Sequence, residues 1–131
     1  MSTPSTIAGV DFVAIPTQDL ERAVAFYGET LGLPRSVHMP ERNFAEFETG
    51  DVTLNVMDPV GMGVGEFQAN PNFLALNVDD VHARRAELEG RGVQFNGEVF
   101  DTGVCHMAFF SDPDGNALML HHRYAPRKTE L

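Results

Sequence analysis

Apolar and polar residues alternate in short runs along most of this chain, and the runs come in two matching series. Asp11-Phe12-Val13-Ala14-Ile15-Pro16-Thr17-Gln18-Asp19-Leu20 and Asn72-Phe73-Leu74-Ala75-Leu76-Asn77-Val78-Asp79-Asp80-Val81 stand in register, with Phe, Ala, Asp and an aliphatic residue at corresponding places. An internal repeat of this kind signals one supersecondary unit used twice. Each stretch reads as a short strand running into a helix start, where Asp19 and Asp80 suit the unpaired backbone N–H groups of a first turn. After Asp19, Leu20, Val24, Tyr27 and Leu31 share one face at helical spacing, and Gly32 ends the helix. After Asp80, Val81, Arg85 and Leu88 share one face of a more polar helix that Gly90 and Gly92 close.

Three strands follow each helix. The first series offers Arg35–Met39, Asn43–Glu48 and Val52–Met57, with Thr49-Gly50-Asp51 as a hairpin turn. The second offers Val93–Glu98, Val104–Phe110 and Ala117–His122, with Asp112-Pro113-Asp114-Gly115-Asn116 as a strong turn signal. The prediction is an α+β fold of two strand–helix–strand–strand–strand (βαβββ) units, over about 9–57 and 72–122, in one domain. Residues 58–71 read as the linker and 123–131 as a polar tail.

Composition narrows the function. A chain of 131 residues with 43% hydrophobic and 21% charged residues is an ordinary globular domain. Asp and Glu number 19 against 9 Lys and Arg, a net charge of −10 that counts against nucleic-acid binding and suits a cationic ligand. Cys105 is the single cysteine, so an internally disulfide-stapled secreted fold is excluded. No apolar run approaches the ~20 residues that span a bilayer. The opening Met-Ser-Thr-Pro-Ser-Thr lacks the basic and apolar regions of a signal peptide. The expectation is a soluble cytoplasmic protein without membrane or nucleic-acid partners.

Two stretches carry a resemblance. Thr17-Gln18-Asp19-Leu20-Glu21-Arg22-Ala23-Val24-Ala25-Phe26-Tyr27 with Leu31-Gly32-Leu33, and Phe110-Ser111-Asp112-Pro113-Asp114-Gly115-Asn116, are similar to the helix opening and the "F-x-DPDGN" turn of the vicinal oxygen chelate superfamily. That group includes glyoxalase I, extradiol dioxygenases and bleomycin-resistance proteins. The resemblance implies curved mixed sheets and a homodimer, with units paired within or across chains. It also implies a divalent metal held by four His or Glu side chains, from the first and last strand of each unit. This sequence puts Phe12, Asn55, Phe73 and Met119 at those places. Phenyl rings donate nothing, a neutral amide is a weak ligand, and a thioether suits soft Cu(I). The expectation is a site with no metal and no cofactor.

Strand alternation extends the site. Phe12, Ala14, Phe73 and Ala75 are expected to face a cup, with Asn55, Thr53 and Met57, and with Met119, Ala117 and His121. Val13, Ile15, Leu74 and Leu76 are expected to pack under the helices. The strand Val104–Phe110 turns either Cys105, Met107 and Phe109 inward, or His106, Ala108 and Phe110. Phe12, Ala14, Asn55, Met57, Phe73, Ala75, Met119 and His121 are the candidate ligand-binding residues, for an apolar, aromatic small-molecule pocket.

Two residues are catalytic candidates. His121 is the one imidazole that alternation puts in the cup, as general base or pocket hydrogen-bonder, or else a structural histidine. Cys105 is a nucleophile if His106 or His121 lowers its pKa, and otherwise a small core residue. Glu46 and Glu48, two apart on one strand face, have acid–base geometry, but an exposed polar face explains them more simply. Gly61-Met62-Gly63-Val64-Gly65 reads as flexible linker rather than phosphate loop. The expected function is metal-independent binding of a small, partly apolar molecule, such as antibiotic or metabolite sequestration. The alternative is a lyase or isomerase that uses replacement ligands (His121 and His106 with Glu46) or a metal-free His121 site.

Overall fold

The two matching stretches each open a four-stranded sheet. The structure, a computed structural model, describes residues 4–127. The first sheet contains β1 (Phe12–Pro16), β2 (Arg35–Met39), β3 (Phe44–Glu48) and β4 (Thr53–Met57), in the order β1-β4-β3-β2. The second contains β5 (Leu74–Asn77), β6 (Phe95–Asp101), β7 (Cys105–Ser111) and β8 (Ala117–Arg123), in the order β5-β8-β7-β6. Within each, the first and last strands pair parallel and the others antiparallel. The α+β architecture expected from the repeat is the one observed.

The helices begin where the acidic residues placed them. Asp19 accepts from the Arg22 N–H at 3.1 Å to start α1 (Leu20–Ala25), and Asp80 accepts from the Ala83 N–H at 3.0 Å to start α3 (Val81–Gly90). The first helix departs from a regular spiral. After Ala25 it widens into a π-helical turn, Phe26–Thr30, and Gly32 then leaves it at φ 75°. Tyr27, in the wide turn, is fully buried.

Several strand ends shift by one to three residues from the sequence reading, among them β8, which takes in Arg123 from the expected tail, and two differences have a clear local cause. The strand expected at Val93 starts at Phe95, because the Val93 N–H is spent on the Leu88 carbonyl at the end of α3. The presumed flexible glycine run is entered by a one-turn helix, α2 (Pro59–Met62), which Asp58 caps through the Gly61 N–H at 3.0 Å. Gly63 closes it in the left-handed conformation. The Asp-Pro pair was the available signal, since proline is preset for the first helical position. Of the tail, residues 128–131 lie outside the described residues.

One core serves both sheets. Ile15, Tyr27, Phe47, Leu54 and Val56 from the first half pack in a single cluster with Val81, Leu88, Phe110, Leu118 and Leu120 from the second. No helix among the described residues is long and apolar enough to cross a membrane.

Candidate functional site

Alternation along the strands gives each sheet a core side and an open side. On β1 and β5, Val13, Ile15, Leu74 and Leu76 join the core cluster, whereas Phe12, Ala14 and Ala75 face away from it. On β4, Thr53, Asn55 and Met57 alternate with buried Leu54 and Val56; on β8, Met119 and His121 alternate with buried Leu118 and Leu120. Ala117, expected in the cup, is buried. Register sets Ala14 beside Asn55 and Ala75 beside Met119. Phe12, Ala14, Asn55 and Met57 thus share one face, and Ala75, Met119 and His121 share another. Phe73, just before β5, stacks edge-on against Phe109 with ring centroids 4.8 Å apart. Phe12 is 55% exposed and Phe73 45%.

The strand whose register the sequence left open is fixed by the turn before β8. Ser111 pairs with Ala117, which sets Phe109 opposite Met119 and Met107 opposite His121. Cys105, Met107 and Phe109 therefore lie on the open side, and His106, Ala108 and Phe110 on the core side. Cys105 is buried, and its Sγ lies 3.9 Å from Nη1 of Arg123. His106, on the opposite side of the sheet, is no base for it. His121 makes no side-chain hydrogen bond among the described residues.

Glu46 and Glu48 are the residues that sequence reasoning undervalued. They are half-buried on the same face as Asn55 and Thr53, not on a solvated one. Asn55 Nδ2 donates to Glu46 Oε2 at 2.9 Å, and Thr53 Oγ1 donates to Glu48 Oε1 at 2.6 Å. Ser36 Oγ also donates to Glu48, and the two hydroxyls, Ser36 first, hold its carboxyl below the usual carboxylate range. The signal was available: Ala45 and Phe47 are the apolar alternates of that strand, and in an antiparallel hairpin Glu46 and Glu48 must then side with Asn55 and Thr53.

Opposite the open faces, the two units are clasped. Asp114 accepts from Thr17 Oγ1 at 2.6 Å, the Gln18 N–H at 2.9 Å and Arg22 Nη2 at 2.8 Å. Tyr27 Oη donates to Asp112 Oδ2 at 2.6 Å, and Asn116 Nδ2 donates to the Pro16 carbonyl at 2.8 Å. Burial, then the neighbouring Asp112 charge, pushes the Tyr27 hydroxyl's pKa strongly upward. The turn expected at these aspartates is present, and it carries this clasp besides. Among the described residues the two open faces exchange neither a hydrogen bond nor an aromatic contact with each other. A single chain therefore displays the candidate residues as two separate half-sites.

A further polar group caps the second sheet. Tyr124 Oη donates to Asp101 Oδ1 at 2.8 Å, and His106 Nε2 lies 3.4 Å from Asp101 Oδ2. The Gly103 N–H, then the Tyr124 hydroxyl, lower the pKa of Asp101.

The donor set does not fit the divalent ion that the resemblance implies. Phe12 and Asn55 on one sheet, and Phe73 and Met119 on the other, offer one neutral amide and one thioether. Asn55 Nδ2 donates to Glu46, so that residue offers an ion only its neutral carbonyl oxygen. The replacement trio also fails, since Glu46 belongs to the first sheet while His121 and His106 lie on opposite sides of the second. No group of three His, Cys, Asp or Glu side chains able to hold an ion is found among the described residues.

Over residues 9–120 the sequence matches the family model for the Glyoxalase/Bleomycin resistance protein/Dioxygenase superfamily. The chain belongs to that superfamily. This is the grouping that its helix-opening and turn motifs resemble. Among solved structures, TnmS3, an antibiotic binding protein from Streptomyces sp. CB03234, is 30% identical with a TM-score of 0.76, covering 92% of this chain and 99% of that one. Lactoylglutathione lyase from Agrobacterium tumefaciens has the same fold at 18% identity and a TM-score of 0.76, covering 88% of this chain and 93% of that one. The uncharacterized protein YraH of Bacillus subtilis (strain 168) is 28% identical over 120 residues, which is 83% of this chain and 94% of that protein.

Proposed function

We propose that this protein binds a small, partly apolar molecule, without metal, between an open face of the first sheet and an open face of the second. The observation that carries the reading is the pair of exposed rings, Phe12 and Phe73, at places where the resemblance implies metal ligands. Exposed aromatic side chains on the faces that also carry Met57, Met119 and Phe109 make a stacking surface for a ligand, not a cage for an ion. Because the half-sites do not meet within one chain, a second copy completes the cup, and the working unit is a homodimer. Antibiotic or metabolite sequestration is the concrete form, supported by the 30% identity to an antibiotic binding protein. The net charge of −10 favours a cationic ligand. The enzyme alternative has less support, because among the described residues the His121 side chain makes no hydrogen bond to an acid, base or thiol.

A thermal-shift screen of antibiotics and aromatic metabolites on purified, untagged protein tests this. A ligand at a hundredfold its dissociation constant is expected to add about 2.7 kcal/mol of stability. Phe12→Ala and Phe73→Ala are expected to remove the shift, and sedimentation to give twice the chain mass. Stoichiometric Zn, Ni, Fe or Mn that survives dialysis and supports turnover overturns the reading.

A further inference from the structure

The internal repeat supplies its own guide to a second site. In the first unit, the corner where β1 ends and α1 begins grips a carboxylate: Thr17, the Gln18 N–H and Arg22 all bind Asp114, whose side chain is completely buried. The corresponding corner of the second unit is Asn77-Val78-Asp79, before α3. The equivalence is structural as well as sequential. The Thr17 N–H donates to the Met57 carbonyl at 2.8 Å, and the Val78 N–H donates to the His121 carbonyl at 3.0 Å.

Among the described residues, no carboxylate of the other unit hydrogen-bonds to this second corner. The β3–β4 turn is shorter than the β7–β8 turn, and its carboxylate, Asp51, accepts from Thr49 Oγ1 and the Val52 N–H, both at 2.9 Å, within its own turn. The corner instead opens into a hollow of about 530 Å³ lined by Asn77, Asp79, His121, His122, Arg123 and Arg127. In a chain of net charge −10, this hollow gathers two arginines and two imidazoles. Its one acid, Asp79, is engaged by Arg84, with Nε to Oδ1 at 3.3 Å. Arg123 has no carboxylate among the described residues. Its Nη2 donates to the Pro126 carbonyl at 3.3 Å, its Nη1 has only the Cys105 sulfur at 3.9 Å, and its Nε is buried without a partner. A buried guanidinium donor without an acceptor is costly, and a bidentate anion is the partner that best fits it.

We propose that this hollow binds the carboxylate of a small organic acid, held by Arg123 and Arg127 rather than by counterparts of Thr17 and Arg22, whose places Val78 and Ala83 take. The hollow adjoins the second open face through Asn77 and His121, but acetate has no ring to stack and so probes the carboxylate site by itself. Phe12→Ala and Phe73→Ala probe the stacking faces, so either reading can fail alone. Two-dimensional amide NMR of the full chain, titrated with sodium acetate, inorganic phosphate and sodium chloride at matched ionic strength, provides the test. Acetate is expected to shift the Asn77, Val78, Asp79, His121, His122 and Arg123 amides saturably in the millimolar range. Arg123→Gln and Arg127→Gln are each expected to weaken that binding about fivefold, the loss of one charge-assisted pair. Arg42→Gln, an exposed arginine of the first unit, is expected to leave it unchanged. Equal shifts with chloride, or undiminished acetate binding in both hollow variants, overturn the proposal. Saturation by phosphate with none by acetate overturns the carboxylate assignment.

Discussion

The two sheets agree on one side and disagree on the other. On the core side the repeat is nearly conserved in kind: Ala45 and Ala108, Phe47 and Phe110, Leu54 and Leu118, Val56 and Leu120 occupy matching places and are all buried. On the open side the matching pairs are Glu46 and Phe109, Glu48 and Ser111, Asn55 and Met119, Met57 and His121. A close-packed core admits few volumes at each place, so both copies retain similar side chains there. The open side has no such constraint from within the chain. It carries a hydrogen-bonded acidic face in one half and an apolar, aromatic face in the other. That asymmetry is what a site needs in order to grip a molecule with one polar and one apolar end.

The sharpest way to break this comparison is to truncate one ring from each side of β7. Phe110→Ala empties a fully buried volume and is expected to cost about 3–5 kcal/mol in urea unfolding. Phe109→Ala, one residue earlier, loses a half-exposed ring and its stack on Phe73 and is expected to cost about 1 kcal/mol. Equal losses would mean that the open face is as tightly packed within the chain as the core, and the comparison would fail.

The core-side agreement breaks at one pair. Tyr27 and Leu88 stand at the same place in the two helices and both are buried, but Tyr27 reaches across to Asp112. Tyr27→Phe removes a hydrogen bond to a charged acceptor and is expected to cost about 1.5–3 kcal/mol at neutral pH. The pH dependence isolates it. The folded-state pKa of Tyr27 is raised above the unfolded value of about 10, so its contribution is fully present below about pH 10. Above that the unfolded chain ionises first, and stability falls by about 1.4 kcal/mol per pH unit. The Phe variant is expected to lose that part of the alkaline slope, as read from urea unfolding between about pH 9 and 11.

Much of this contrast can be read in the sequence, and the rest is hidden for identifiable reasons. The repeat, the two aspartate caps and the core alternation of Val13, Ile15, Leu74 and Leu76 are local patterns, and they predict the fold. The register of β7 needed a pairing partner, which the Asp112–Asn116 turn supplies only once Ser111 and Ala117 are known to pair. The side taken by Glu46 and Glu48 needed the same knowledge of β3 against β4. The clasp of Asp112 and Asp114 on Tyr27 and Thr17 joins residues 85 and 97 positions apart, and no local pattern announces it.

A smaller effect sharpens the contrast by converting one face into the other. Asn55→Met alone leaves Glu46 without its amide donor and is expected to cost about 1 kcal/mol. Adding Glu46→Phe reproduces the Phe109–Met119 pair of the second sheet. Replacing both partners with apolar groups is nearly neutral when the shapes fit, so the double variant is expected to recover most of the loss. A double variant that is worse by the full sum of two independent losses would show that the acidic face is built into the fold rather than chosen for the site.

The smallest effect concerns Glu48, whose counterpart Ser111 has no charge to titrate. Its folded-state pKa is lowered, first by the Ser36 hydroxyl and then by that of Thr53. A lowered carboxylate pKa contributes stability above the unfolded value of about 4.3, and that contribution disappears as pH falls through the folded value. The wild-type protein is therefore expected to exceed Glu48→Gln slightly in urea midpoint at neutral pH, with the two converging as the solution is acidified. Ser36→Ala is expected to move the convergence toward higher pH, because the leading cause of the lowered pKa is gone. A gap that persists unchanged into acid would assign the effect to packing at position 48, and the first sheet's open face would then be a structural surface like the second's core side.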